Sequence, residues 1–222
     1  MRDSPNNLFT LIRAAHITCG AVALLIAPLA MITAKGGLWH RRWGKIYFWA
    51  MAGVAVTAVG MCWLRSGLFL FLVAVFSFYL ALTGYTALWR KKPEDRPSLL
   101  DWCATVAMLL AGAGLVASGA FNASLGNERW VSIIFGLIGL LLSGMDLWRF
   151  FKPSPSKRAW WFNHMTRFLS AYVATVTAFS VVNFRFLPDL WRWLWPTVIG
   201  FIGITVWRAY YKNKFNRSQS SR

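Results

Sequence analysis

The sequence predicts an all-α protein: a polytopic bundle of seven transmembrane helices, with the N-terminus outside and the C-terminus in the cytosol. Its 222 residues are 57% hydrophobic and only 14% charged, a far smaller charged share than in soluble domains. Uncharged stretches recur at about the 20 residues that a helix needs to cross a bilayer core of about 30 Å. Basic residues, in addition, gather in alternate loops.

Seven spans fill residues 1–211, which we expect to form a single membrane domain. The first five are apolar runs whose few charges lie near their ends. The sixth tolerates His164 and Arg167 near one end, and the seventh has a shorter core because it contains Pro196. The predicted spans are 10–34, 45–64, 66–89, 101–122, 130–150, 160–184 and 190–210. Residues 212–222 are basic and serine-rich, and we expect a disordered cytosolic tail there.

The placement of positive charge predicts the orientation. The net charge is +17, and an excess of lysine and arginine marks the cytoplasmic loops of an inner-membrane protein. Seventeen of the 24 basic residues fall on the predicted inner side: Lys35, Arg41, Arg42, Lys45, Arg90, Lys91, Lys92, Arg96, Arg149, Lys152, Lys157, Arg158, Arg208, Lys212, Lys214, Arg217 and Arg222. This pattern predicts the bacterial inner (cytoplasmic) membrane. Basic residues on the inner side attract anionic lipid headgroups, so the high net charge is explained without a nucleic-acid partner.

Small residues predict where helices approach closely. The fourth span contains "AGAG" at 111–114, and the fifth contains Gly136, Gly139 and Ser143. Such residues allow the backbones of two helices in lipid to come near each other.

The sixth span predicts a polar seam inside the bundle. Asn163, Arg167 and Ser170 follow one another at helical spacing. A charge inside a bilayer requires a partner, and Asp146 on the preceding span lies at a similar depth. We therefore expect an Asp146–Arg167 ion pair, either locking two helices together or serving a site.

Three histidines suggest a b-type haem, because imidazole is a common iron ligand and facing helices can hold a porphyrin. His16 lies near the outer side, roughly 16 Å from His164 along the membrane normal. That distance is too large for two ligands of one iron. His40, in the inner loop, shares the side of His164. The pair His40 and His164 is therefore the candidate haem or metal site, and His16 is a separate outer-side candidate. The leading functional hypothesis is a small redox or haem-associated membrane protein with a polar site near the cytosolic face.

Other uses of the same residues stay open. Asp101 and Asp146 could join His40 and His164 around a different metal ion, since zinc and iron sites mix imidazole with carboxylate. A proton-coupled transporter could instead line its path with Asp146, Arg167 and His164. A non-catalytic assembly or scaffold subunit is a third class. No nucleophile, phosphate-loop or dinucleotide motif points to a particular enzyme, and a small partner would be a lipid-soluble molecule or an ion.

Three segments resemble an uncharacterised family of bacterial membrane proteins, the domain of unknown function numbered twenty-three oh six. The segments are "AAHITCGAVALLIAPLAM", "KGGLWHRRWGKIYFWAM" and "WWFNHMTRFLSAYVATVTAF". The resemblance implies a membrane bundle and brings no activity with it. The positions that match the family pattern are His16, Lys35, Gly36, His40, Arg41, Gly44, Tyr47, His164 and Met165.

Overall fold

The computed structural model describes residues 5–65 and 67–220 and has an all-α fold. Residues 1–4, 66 and 221–222, which include the predicted start of the third span and the end of the predicted tail, lie outside the described residues. In the described part, seven α-helices run in this order: α1 (Pro5–Ile32), α2 (Leu38–Arg65), α3 (Leu68–Thr86), α4 (Leu99–Phe121), α5 (Glu128–Phe151), α6 (Ala159–Asn183) and α7 (Asp189–Ser220). Two short 3-10 helices, Ala87–Trp89 and Ala123–Leu125, follow α3 and α4.

Six of these helices, α1 to α6, are long and apolar enough to cross a membrane. Their outer surfaces carry large apolar side chains such as Leu25, Leu110 and Leu141, which are mostly exposed. A helix that exposes such residues buries them in lipid rather than in protein. The architecture is that of a multi-pass membrane protein.

Helices that follow one another in the chain pack together in pairs, and α3 lies at the centre of the bundle. α1 lies on α2, α4 on α5 and α6 on α7, while α3 contacts α2, α4, α5 and α6. Leu80 of α3, Met108 and Leu115 of α4, and Val131 of α5 are almost fully buried in this core. α3 therefore lies between α2, α4 and α6.

Glycines let α4 and α5 approach closely, as the small residues of these spans predict. A Cβ atom on Gly136 would lie 2.7 Å from the carbonyl oxygen of Gly112, and one on Gly112 would lie 3.1 Å from that of Gly136. Beside them, Ser132 donates a hydrogen bond to the carbonyl of Leu115 on the facing helix at 2.7 Å. Close backbone contact and such hydrogen bonds hold helices together in lipid.

Two predicted boundaries, the start of α2 and the end of α7, differ from the structure by seven residues or more. α2 begins at Leu38 rather than at residue 45, so His40 lies in the first turn of a helix and not in a loop. A turn with Gly36 at φ 77° and a hydrogen bond from Gly37 N to Ala34 O reverses the chain within a few residues, which leaves the basic segment free to be helical.

The predicted disordered tail is helical from residue 212 to residue 220, because α7 continues to Ser220. Its aromatic residues explain this. Phe215 contacts the rings of Trp161 and Phe162 on α6, at 5.1 and 6.0 Å between centroids. Tyr211 lies 4.8 Å from Trp161. The polar composition of this segment predicted disorder, but its aromatic side chains form an apolar face that packs on α6.

We expect Gly136→Ala to destabilise the protein, because the added methyl group would meet the backbone of α4. Overpacking of this kind costs about 1–3 kcal/mol. The thermal unfolding midpoint in detergent should fall, whereas that of Gly144→Ala in the same helix should not, since a Cβ atom there has open space. Equal midpoints for the two variants would contradict close α4–α5 packing.

Candidate functional site

His40 and His164 meet near one end of the bundle. His40 lies in the first turn of α2, and His164 lies in the second turn of α6. Their ring centroids are 6.2 Å apart, and the ring planes are nearly perpendicular, at 80°. Helices distant in the sequence thus bring two imidazoles into one place.

Both imidazoles are held by backbone carbonyls. His40 Nδ1 lies 2.8 Å from the carbonyl oxygen of Ala30 on α1, and His164 Nδ1 lies 2.9 Å from that of Gly84 on α3. Both carbonyls belong to the last turn of a helix, where the helix itself leaves carbonyls to be satisfied. A carbonyl only accepts, so each Nδ1 carries the proton. In the neutral tautomer each Nε2 therefore keeps its lone pair for a ligand.

The two histidines line a cavity of about 380 Å³. This size falls within the range of about 300–1,000 Å³ typical of ligand and cofactor sites. Aromatic side chains form much of the wall: Tyr47, Tyr85, Trp89, Trp160, Trp161, Phe168 and Trp207. Four cations, Lys35, Arg41, Lys45 and Lys91, line it as well. The cavity thus combines flat apolar walls, two imidazoles and positive charge.

Gly84 sets the distance between α3 and α6 at this cavity. A Cβ atom there would lie 2.5 Å from Cδ2 of Phe168 and 3.0 Å from Cβ of Arg167. The absence of a side chain lets the Gly84 carbonyl reach His164. The Phe168 ring in turn packs 4.8 Å from the His164 ring and 5.7 Å from that of Tyr47.

Lys35 lines the cavity, although the sequence predicts for it only a place on the inner side and a match to the family pattern. Its ammonium donates to the carbonyl of Met31 and lies 3.4 Å from that of Ala30, the same oxygen that His40 contacts. It also lies 5.5 Å from the ring centre of Trp207 on α7. Partial burial lowers the pKa of Lys35 below its ordinary value. The sequence feature that could have indicated a role in the cavity is the position of Lys35 directly before Gly36, the residue that turns the chain from α1 to α2.

His16 does not belong to this cavity. Its Nδ1 lies 3.0 Å from Oγ1 of Thr57 on α2. The Thr57 hydroxyl is 2.6 Å from the carbonyl of Gly53, so it donates there and accepts from His16. From His16 to Ala30, beside which His40 lies, α1 rises about 21 Å at about 1.5 Å per residue.

The polar seam is built around Asp146 on α5. Arg167 Nη2 donates to Asp146 Oδ2 at 2.6 Å, and the Tyr79 hydroxyl of α3 donates to the same oxygen at 2.5 Å. Arg149 Nη1 lies 3.4 Å from Asp146 Oδ1 and 3.1 Å from Oδ1 of Asn163. The carboxylate thus ties α3, α5 and α6 together. Ser170, the remaining member of the predicted seam, is only partly buried on α6.

Asp101 is a helix cap rather than a partner of the histidines. Its Oδ2 accepts from the backbone N and the hydroxyl of Ser98, which closes a capping box at the start of α4. Its Oδ1 accepts from Thr86 at 2.6 Å and from Arg90 at 3.1 Å. In the part of the chain that the structure describes, no group of three or more His, Cys, Asp or Glu side chains could hold a metal ion. The structure therefore does not assemble His40, His164, Asp101 and Asp146 into one metal site.

No family model, curated protein or solved structure matches this chain. Membership of the family that three of its segments resemble stays a prediction. Two arrangements of side chains are the candidates for function: the pair His40 and His164 in its aromatic cavity, and the Asp146 cluster on the other side of α6.

We expect Asp146→Asn to destabilise the protein by about 3–5 kcal/mol, because it leaves the buried Arg167 charge without its counter-ion. The measurement is thermal unfolding in detergent. Asp189→Asn is the matched control, since Asp189 pairs with Arg192 in the same helix turn but is largely exposed, and such pairs contribute little. Similar losses in both variants would contradict a central role for Asp146.

Proposed function

We propose that this protein is a haem-associated redox protein of the membrane, in which His40 and His164 would hold one b-type haem. The observation that carries the proposal is the pair of imidazoles 6.2 Å apart, each held through Nδ1 by a carbonyl. Such outer hydrogen bonds orient metal-ligating histidines and make Nε2 a better ligand.

The ring separation suits a shared metal atom. Two imidazoles bound to one metal at about 2 Å each have their ring centroids roughly 6 Å apart. A structural zinc site takes four ligands from the protein, whereas haem is held by only one or two protein side chains. Among the described residues, no third His, Cys, Asp or Glu completes a metal-binding group with the two histidines, and the pair therefore favours haem over a bare metal ion.

The chemistry of the cavity wall supports the same choice. Aromatic rings such as Tyr85, Trp160 and Phe168 offer flat apolar surfaces to a porphyrin. Lys35, Arg41, Lys45 and Lys91 could pair with its two propionate groups. When bound, haem would supply a one-electron redox couple. The residues of the chain would bind it, orient the two imidazoles and exclude water from it.

We further propose that all seven helices cross the bacterial inner membrane, with the N-terminus outside and the C-terminus in the cytosol. Val198, Ile199, Phe201, Ile202 and Val206 of α7 are about half or more exposed, as lipid-facing residues would be. The connections before α2, α4 and α6, taken with the adjoining helix ends, and the end of α7 carry most of the basic residues.

We expect the protein, purified in detergent after haem-replete expression, to show a Soret band and sharp α and β bands on dithionite reduction. His40→Ala and His164→Ala should each remove most of the bound haem, measured as pyridine haemochromogen per protein. Imidazole added to His40→Gly should restore part of it, because a free imidazole can occupy the vacated ligand position.

His16→Ala is the matched control for the haem assay. It removes a histidine from the same bundle, one that is hydrogen-bonded to Thr57 away from the cavity, so its haem content should equal that of the wild type. A wild type without a Soret band, or haem content unaffected by loss of His40 and His164, would refute the proposal.

Labelling of single cysteines tests the topology. In a variant lacking Cys19, Cys62 and Cys103, a membrane-impermeant maleimide should label Asn127→Cys in cells with a permeable outer membrane. Glu94→Cys and Lys214→Cys should react only after the inner membrane is opened. Labelling of Lys214→Cys together with Asn127→Cys would show that α7 does not cross and that the bundle has six spans.

A further inference from the structure

We propose that a second cavity, on the other side of α6, binds a phosphoryl group. It measures about 750 Å³ and lies between α3, α5, α6, α7 and the two connecting segments around residues 90–97 and 153–158. It is distinct from the histidine cavity: Arg167 and Asn163 of α6 line it, whereas His164 and Phe168 line the other. Binding of an anion in this cavity requires no haem in the other.

The charge of this cavity is strongly unbalanced. Among the described residues, nine lysine and arginine side chains line it, against the two carboxylates of Asp95 and Asp146. Asp146 is already engaged by Arg167 and Arg149, and Asp95 accepts a hydrogen bond from the backbone N of Lys92. So many cations around one concave space focus a positive potential there, which attracts an anion.

Two buried donors in the cavity wall lack a partner within the part of the chain that the structure describes. Arg167 is only 5% exposed, and its Nη2 binds Asp146 and the carbonyl of Leu142, but its Nη1 has no acceptor. The Nε of Arg90 is likewise buried without a partner, although its Nη2 binds Asp101. Leaving a buried donor without a partner is costly, so an acceptor from outside the chain is expected to bind there.

The start of α6 adds further positive character. Ala159, the first residue of this 25-residue helix, lines the cavity, and no side chain of the described residues caps the helix N-terminus. The N–H groups of Ala159 and Trp161 already donate to the carbonyls of Ser156 and Arg158, so the contribution of this N-terminus is the positive end of the helix dipole, which favours an anion. Arginine forks suit the several acceptor oxygens of a phosphoryl group. An anionic lipid headgroup and a soluble phosphate share this chemistry.

The experiment measures the thermal unfolding midpoint of the full chain, delipidated in a neutral detergent. Inorganic phosphate is titrated against chloride at equal ionic strength. In a second arm, phosphatidylglycerol in mixed micelles is compared with phosphatidylcholine. We expect the phosphoryl anion to raise the midpoint with a saturating dependence that chloride and phosphatidylcholine do not give.

Variants at the exposed rim of the cavity avoid a folding failure. The pair Lys157→Gln and Arg208→Gln should weaken the apparent affinity for the stabilising anion at least tenfold. The control pair Arg42→Gln and Arg96→Gln removes the same charge from residues that line neither cavity, and it should leave the affinity within twofold of the wild type.

The outcomes separate the sources of the ligand. Stabilisation by inorganic phosphate that is lost at the rim assigns a soluble phosphate, and stabilisation by phosphatidylglycerol alone that is lost at the rim assigns a lipid headgroup. Equal effects of phosphate and chloride with no effect of phosphatidylglycerol would overturn the proposal. So would equal losses in the rim and control pairs, because the charge would then act only as a diffuse attraction to anions.

Discussion

Asp146 is the point at which three helices converge. Its carboxylate takes hydrogen bonds from Tyr79 of α3 and Arg167 of α6, while it belongs to α5 itself. In a medium of low dielectric constant an unpaired charge is costly. Sliding α6 along α3 or α5 would separate Arg167 from Asp146, so the ion pair favours one relative position of these helices. Fixing Arg167 also fixes His164, which lies three residues earlier on α6. The position of the candidate haem ligand therefore depends on an ion pair outside its own cavity.

α6 divides the basic end of the bundle into two cavities of different chemistry. On one side lie two imidazoles with aromatic walls, and on the other lie arginine and lysine side chains around a buried carboxylate. Lys91 lines both cavities, and its ammonium lies 5.4 Å from the ring centre of Trp160 at the start of α6. A ligand in either cavity would thus contact the same helix, which offers a physical route for one site to influence the other.

Much of the fold could be predicted because length and composition decide it. Residues 130–150 and 160–184 match α5 and α6 to within two residues, since apolar length alone defines such helices. The predicted positions of the start of α2 and the end of α7 differ most from the structure, and both for the same reason. Both are polar segments whose helical state depends on neighbours, on the Gly36 turn for α2 and on contacts of Phe215 with α6 for α7.

The sequence by itself determined which residues are apolar enough for lipid and which ionisable residues require partners, since burying charge in a membrane is costly whatever the fold. It also pointed to His40 and His164, because both lie at the predicted inner side. Only the tertiary structure decided that their rings approach to 6.2 Å, that Asp101 caps α4, and that Arg167 keeps an unpartnered donor. Those facts depend on the packing of helices distant in the chain, and no local pattern of residues encodes that packing.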